Sequence, residues 1–300
     1  MTTSHQFGGQ WTDEKLDRLR KYLHAYRTIF TKNPRAAMLR TTFVDAFAGT
    51  GYRQSPKAAS AQTLPLRLDD LPVYDDDATL FQQGSARIAL ETSPPFDHYL
   101  FIEQNPAYIA ELEQLRQQFP AVAQRIEIVQ GEANATLQDW CRRTNWRTNR
   151  AVVFLDPYGM EVEWATIEAI ANTQAIDLWV LFPLGQAVNR VLTRSGPPQG
   201  GWSDRLTKFF GTADWKNAFY RPSSQMTLFD EEEQLEKGAS FEQISAFFLQ
   251  RLNLVFSKVA DNPLYLRNRK NVPIYLFCFA AGNPKGAPTA IKIAQHILGN

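Results

Sequence analysis

At 300 residues, 44% of them hydrophobic and 12% aromatic, the chain can bury a large core and is not a disordered polymer. Its formal net charge of +1 excludes a global pull toward nucleic acid or an anionic membrane and leaves only local basic patches. No stretch approaches the ~20 apolar residues of a membrane span, and the opening MTTSHQFGGQWTDEK lacks a signal peptide's apolar centre, so a cytoplasmic protein without membrane attachment is expected.

The segment from Thr12 to Phe30 places Leu16, Leu19, Leu23, Tyr26 and Phe30 at helical spacing, which predicts an N-terminal helix over 12–31 capped by Thr12. LRTTFVDAF reads as the first strand. Residues 52–83, rich in Pro, Asp, Gln and Ala, read as an insertion of loops with room for a hairpin. SARIALE opens a short helix. Three strand–helix units follow: HYLFIEQN with PAYIAELEQLRQQF, RIEIVQGEAN with ATLQDWCRRT, and RAVVFLDPYG with WATIEAIANT. IDLWVLFPLG is the fifth strand. Near-continuous apolar strands that alternate with helices are the pattern of a parallel sheet covered on both faces.

After the fifth strand the alternation stops. Residues 186–260 read as a helical and loop insertion, with helices in SDRLTKFFG and SFEQISAFFLQRLNLVF and an acidic loop at DEEEQLEKG. PLYLRNRKNVPIYLFCFAAG reads as two antiparallel strands around a tight turn, Asn268 to Asn271. APTAIKIAQHIL is a closing amphipathic helix. No internal repeat and no second domain stand out, so 1–300 is expected to form one domain. Cys141 and Cys278 have neither CxxC nor metal spacing and are expected to be reduced thiols. None of the four histidines has a metal partner at useful spacing, so no metal is expected.

In doubly wound sheets, ligands bind at the carboxyl ends of the strands. Gly49 and Gly51 in FVDAFAGTG allow close backbone approach to a ligand, or simply a tight strand-to-helix turn. Glu103 ends the second strand, where an acid accepts hydrogen bonds from ribose hydroxyls or stands as a solvated charge. Gly131-Glu132-Ala133-Asn134 ends the third, with polar groups suited to an adenine amine or to a helix cap by Asn134. Asp156 ends the fourth at the same edge. Gly49 and Glu103 lie further apart than the ~20 residues of a dehydrogenase fingerprint, which counts against a nicotinamide enzyme.

DAFAGTG, FIEQN, GEANA and DPYG resemble, in order, the motifs of class I S-adenosylmethionine-dependent methyltransferases. More narrowly, KLDRLRKYLHAY, FVDAFAGTG, GSARIAL, FLDPYG and FAAGNPKGAPTAIKIAQHIL resemble the three-Cys-motif partner (TcmP) family, from about residue 13 to 298. The resemblance implies a Rossmann-like α/β fold with a seven-stranded, mostly parallel sheet in the order 3-2-1-4-5-7-6 and helices on both faces. It implies S-adenosyl-L-methionine as cofactor, with Asp45, Phe47, Gly49 and Gly51 along its methionine part, Glu103 on the ribose, and Glu132 and Ala133 at adenine.

Asp156-Pro157-Tyr158-Gly159 resembles the Asp-Pro-Pro-Tyr tetrad of adenine amino-methyltransferases. There a carboxylate and a proline carbonyl accept the amine's hydrogen bonds, and an aromatic ring stacks on the base. Here one proline is missing and Tyr158 stands one place early. Gly84-Ser85-Ala86-Arg87 partly resembles the Gly-Ser-Pro segment of a ribosomal-RNA adenine-N6 methyltransferase family. Arg190, Arg194, Arg205 and Lys208 flank the expected substrate cleft. Three readings follow. The first is methyl transfer to an amino group of an RNA or DNA base, with Asp156, Pro157 and Tyr158 catalytic. The second is a cofactor-binding, catalytically weak partner of a three-Cys-motif phage-type protein. The third is methyl transfer to a protein or small molecule with Asp156 as general base.

Overall fold

The structure, a computed structural model, describes residues 10–49, 84–223 and 235–299. Helix α1 (Gln10–Lys32) leads through a short 3-10 turn into strand β1 (Arg40–Asp45). Then come α2 (Ser85–Glu91), β2 (His98–Glu103), α3 (Pro106–Gln118), β3 (Ile126–Gln130), α4 (Ala133–Arg143), β4 (Asn149–Leu155), α5 (Trp164–Asn172) and β5 (Ile176–Phe182). All the parallel pairings lie among β1 to β5, with β1 between β2 and β4. Residues 52–83, read as an insertion, lie outside the described residues.

The continuous apolar runs have the expected cause: alternate side chains of one strand enter two different cores. Phe43, Val152, Phe154, Trp179 and Leu181 point to the side of α1, α2, α3 and α10 (Ala287–Gly299). Val44, Val153, Leu155, Leu178, Val180 and Phe182 point to the opposite side, toward α4, α5 and the helices after β5. With apolar residues on both faces, β1, β2, β4 and β5 suit an inner layer, whereas β3, at the sheet edge, keeps Glu127 and Gln130 exposed.

The final strands depart in detail from the expected seven. β10 (Pro273–Ala281) runs antiparallel beside β5, and its outer edge is shared by two short antiparallel strands, β8 (Lys258–Val259) and β9 (Leu264–Arg267), giving an eight-stranded sheet. Pro263 lies between β8 and β9; having no N–H to donate, it interrupts a ladder that would otherwise run through. The β9–β10 hairpin closes as expected over Asn268 to Asn271, where Asn271 adopts φ 60° and its N–H bonds to the Asn268 carbonyl at 2.9 Å.

Between β5 and β8 the chain builds a second helical layer. A π-helical turn (Leu184–Val188) passes into α6 (Asn189–Val191), then α7 (Gly201–Phe210) and α8 (Trp215–Phe219). Strands β6 (Tyr220–Pro222) and β7 (Leu235–Lys237) form a separate pair, so the end of the segment read as an acidic loop is extended and paired. Helix α9 (Phe241–Val255) begins with a capping box between Ser240 and Gln243. Phe182 of β5 stacks on Phe248 of α9 at 4.2 Å and on Phe209 of α7 at 5.6 Å, which ties these helices to the sheet.

Helix α1 starts earlier than its sequence suggested. Thr12, read as the cap, sits inside the first turn, and its buried hydroxyl has no hydrogen-bond partner among the described residues. Tyr22 packs against Trp179 and Phe279, at 5.2 and 4.8 Å, and Trp11 lies 5.3 Å from Tyr275. Cys141 and Cys278 are buried free thiols, and burial pushes the Cys141 thiol up to about 12, so neither is a thiolate nucleophile. Among the described residues, no helix is long and apolar enough to cross a membrane.

Gly185 in the π-helical turn touches the start of β10. A Cβ there would meet the Pro273 carbonyl oxygen at 2.1 Å, a backbone atom that cannot rotate away. Gly185→Ala is therefore expected to destabilise the fold by about 2–4 kcal/mol. Urea unfolding checks this, as a lowered midpoint at unchanged slope.

Candidate active site

Four strand ends converge on a cavity of about 600 Å³. Phe47 follows β1, Glu103 ends β2, Glu132 and Ala133 follow β3, and Asp156 and Tyr158 follow β4; all six line it. Asp204, Arg205, Lys208 and Phe209 of α7 form the far wall. Parallel strands with β1 at the centre produce this convergence, because every carboxyl end lies on the same edge.

Glu103 is held by backbone. Its Oε2 accepts the Gly49 N–H at 2.9 Å, and its Oε1 accepts those of Gln104 and Asn105 at 2.9 and 2.8 Å. Gly49 reaches it from a left-handed conformation, φ 56°, which a side chain would oppose. Three donors leave acceptor capacity on a carboxylate that has about four lone-pair sites. Gly49 thus stands behind Glu103 rather than lining the cavity, and Gly51 lies outside the described residues.

Glu132, not Asn134, caps α4. Its carboxylate accepts the N–H groups of Asn134 and Ala135 at 2.8 and 2.7 Å and the Asn134 amide at 2.7 Å. Partial burial opposes its ionisation, but these donors, with the Lys208 charge, outweigh burial and hold its pKa below the usual carboxylate range. Asn134 instead ties the β3 turn to the loop after β4. Its amide nitrogen donates to the Glu161 carbonyl, and its oxygen accepts from the Glu163 N–H and the Thr166 hydroxyl.

The fourth strand end carries a contact absent from the sequence reading. Lys15 of α1 places Nζ 2.5 Å from Asp156 Oδ2, with the lysine side chain 3% exposed and the aspartate 23%. Lys15 had a legible signal: it lies on the apolar stripe of α1, four residues from both Trp11 and Leu19, both buried. Pro157 is buried and away from the cavity lining. Tyr158 is 50% exposed, and its backbone N–H is held by Glu161 Oε2 at 3.0 Å.

Asp45 is wholly buried and does not line the cavity. Its Oδ2 accepts the Ser85 hydroxyl at 2.5 Å and its Oδ1 the Phe47 N–H at 3.2 Å, which shapes the turn after β1 from below. Burial, reinforced by the Asp156 charge, raises its pKa to about 7 against the opposing pull of Ser85, Phe47 and Lys15. Among the described residues, no group of three or more His, Cys, Asp or Glu could hold a metal ion.

The Asp45 shift has a defined sign. The unfolded chain loses this proton near pH 3.8 while the folded chain keeps it to about 7. Stability is therefore intact below pH ~4 and falls by roughly 3–5 kcal/mol as pH rises to 7, then levels off. Asp45→Asn, which retains acceptor and shape, is expected to flatten that slope; thermal unfolding of both proteins from pH 4.5 to 7.5 checks it.

No family model matches the sequence, and no curated protein matches it. Solved structures do resemble the fold. A Legionella pneumophila protein assigned to family model DUF519 is 14% identical over 98% of this chain and 92% of its own, with a TM-score of 0.50. A spermidine synthase in complex with the transition-state analogue AdoDATO is 11% identical over 98% of this chain and 66% of its own, at 0.40. A putative methyltransferase from Escherichia coli is 13% identical over 75% and 88%, at 0.28. The first of these likenesses speaks to architecture alone: the chain has a mixed α/β, Rossmann-like fold with a large, mostly parallel sheet flanked by helices.

Proposed function

We propose that the chain is an S-adenosylmethionine-dependent methyltransferase acting on an amino group of a nucleic-acid base, of the adenine N6 type. The observation that carries this reading is the convergence of Phe47, Glu103, the Glu132–Ala133 turn and Asp156 around one cavity of about 600 Å³, a volume in the range of small-molecule sites. The residues fit the cofactor. Glu103 is oriented by three backbone donors and keeps acceptor capacity for ribose hydroxyls. Glu132 and Ala133 would hold the adenine end, and Phe47 the methionine part. When bound, the cofactor supplies a methyl group on a sulfonium.

The chain's own residues act on the acceptor. Lys15 occupies Oδ2 of Asp156 by direct pairing; Oδ1 remains to accept an amine N–H. The Pro157 carbonyl, the second acceptor of the tetrad, belongs to a buried residue outside the cavity lining, so Asp156 Oδ1 alone would orient the amine in this scheme. Tyr158, half exposed at the rim, offers a ring to a base entering from solvent, and Arg205 and Lys208 on α7 offer charge to its phosphates.

A specific observation favours a second reading. Asp156 already has a cation against it, and Tyr158 is exposed, so the tetrad is not assembled as in the adenine enzymes it resembles. A cofactor-binding partner of a three-Cys-motif protein, in keeping with the TcmP resemblance, accommodates both facts.

Calorimetry with S-adenosylmethionine is expected to show saturable binding, weakened about tenfold or more in Glu103→Ala, a loss of at least ~1.4 kcal/mol. Asp156→Ala is expected to keep that binding and to lose labelled methyl transfer to RNA or DNA. Absence of cofactor binding by the unaltered chain rejects both readings; binding without transfer to any nucleic acid leaves the partner reading.

A further inference from the structure

A second cavity, of about 790 Å³, lies at the opposite edge of the sheet. Arg150 and Asp177 line it from the first residues of β4 and β5, whereas Asp156 follows the far end of β4, about 20 Å away at ~3.3 Å per residue. Its remaining walls come from the second half of α1, the turn before β1 and the start of α10.

Three features of this cavity are chemically uneven. At its base, Asp177 Oδ2 accepts the Tyr22 hydroxyl at 2.7 Å, while no hydrogen bond from the described residues engages Oδ1. Tyr26, 5% exposed and also lining the cavity, has a buried hydroxyl with no hydrogen-bond partner among the described residues. Such a buried hydroxyl is costly inside a protein unless a partner arrives. Between them the walls carry an aromatic pair, Phe30 stacked on Tyr26 at 4.5 Å, with Ile29 and Ile293 also in the lining. At the rim stand Lys32, Arg35 and Lys285, all exposed and with no acidic partner among the described residues.

An acceptor at the base, an apolar slot between, and several cations at the mouth match one ligand chemistry. An alkyl carboxylate would satisfy the rim but press a tail against Asp177, which buries a polar group without a partner. Inorganic phosphate would leave the slot empty. A planar heterocycle that carries an amine and a phosphate meets all three. We infer that this cavity binds a nucleoside monophosphate with an amine-bearing base, the amine toward Asp177 and the phosphate toward Arg35 and Lys285. This inference does not depend on the methyltransferase reading, which uses the other edge.

The test is calorimetry of the full chain with adenosine 5′-monophosphate, adenosine, inorganic phosphate and laurate as separate titrants. The nucleotide is expected to bind saturably and at least about tenfold more tightly than adenosine or phosphate. The Arg35→Ala/Lys285→Ala double variant, altered only at exposed positions, is expected to weaken nucleotide binding about tenfold or more. Glu103→Ala, in the other cavity, is expected to leave this binding as it is. No saturation by the nucleotide overturns the inference. So does equal affinity in the rim variant, loss of binding in Glu103→Ala, or tight binding of laurate alone.

Discussion

A lysine side chain left almost without solvent must be paired, because a lone buried ammonium costs several kcal/mol. Lys15 meets this constraint through Asp156, and the pairing fixes how α1 lies on the sheet. The helix, 23 residues and so about 34 Å long, exceeds the about 23 Å of the seven-residue strands it covers. Its first half therefore reaches the carboxyl edge of the sheet and its second half the amino edge. Tyr22 bonds Asp177 there, and Arg27 bonds Thr41, whose hydroxyl and N–H are in turn held by Asp97. One helix thus sets a polar group against an acid at each end of the sheet, beside each of the two cavities.

The acids at the carboxyl edge differ in kind. Glu103 and Glu132 are gripped by backbone N–H groups, so their direction is set before any ligand arrives. Preorganised acceptors of this sort lose little entropy on binding. Asp45 is the opposite case, sunk beneath the turn it shapes and held close to neutrality by burial. Asp156 lies between them, paired with a cation and still partly open to the cavity. These roles follow from depth and partners, since residue type is nearly constant across the four.

The far wall of the first cavity depends on the layer after β5. α7 contributes Arg205, Lys208 and Phe209 to the site only because Phe209 and Phe210 anchor its other face among Phe182, Phe219 and Phe248. Lys208 pairs with Glu163 at 2.6 Å, which joins this wall to the loop after β4. Loss of the aromatic packing would therefore open the cavity without touching a cavity-lining acid.

Local pattern by itself determined the alternating strands and helices, the two-faced burial of β1, β2, β4 and β5, and the terminal hairpin, because side-chain period and turn chemistry act over a few residues. It also placed Phe47, Glu103, Glu132, Ala133, Asp156 and Tyr158 at one edge, since every parallel strand ends there. The split between β8 and β9, the service of Glu132 rather than Asn134 as the cap, and the withdrawal of Asp45 and Gly49 behind the cavity were decided by tertiary structure. So was the partner of Asp156. Lys15 lies 141 residues away, and only the docking of α1 across the sheet brings the two together. An apolar stripe interrupted by a lysine announces that some acid must meet it; which acid is a matter of three-dimensional packing, where long-range desolvation outweighs any local rule.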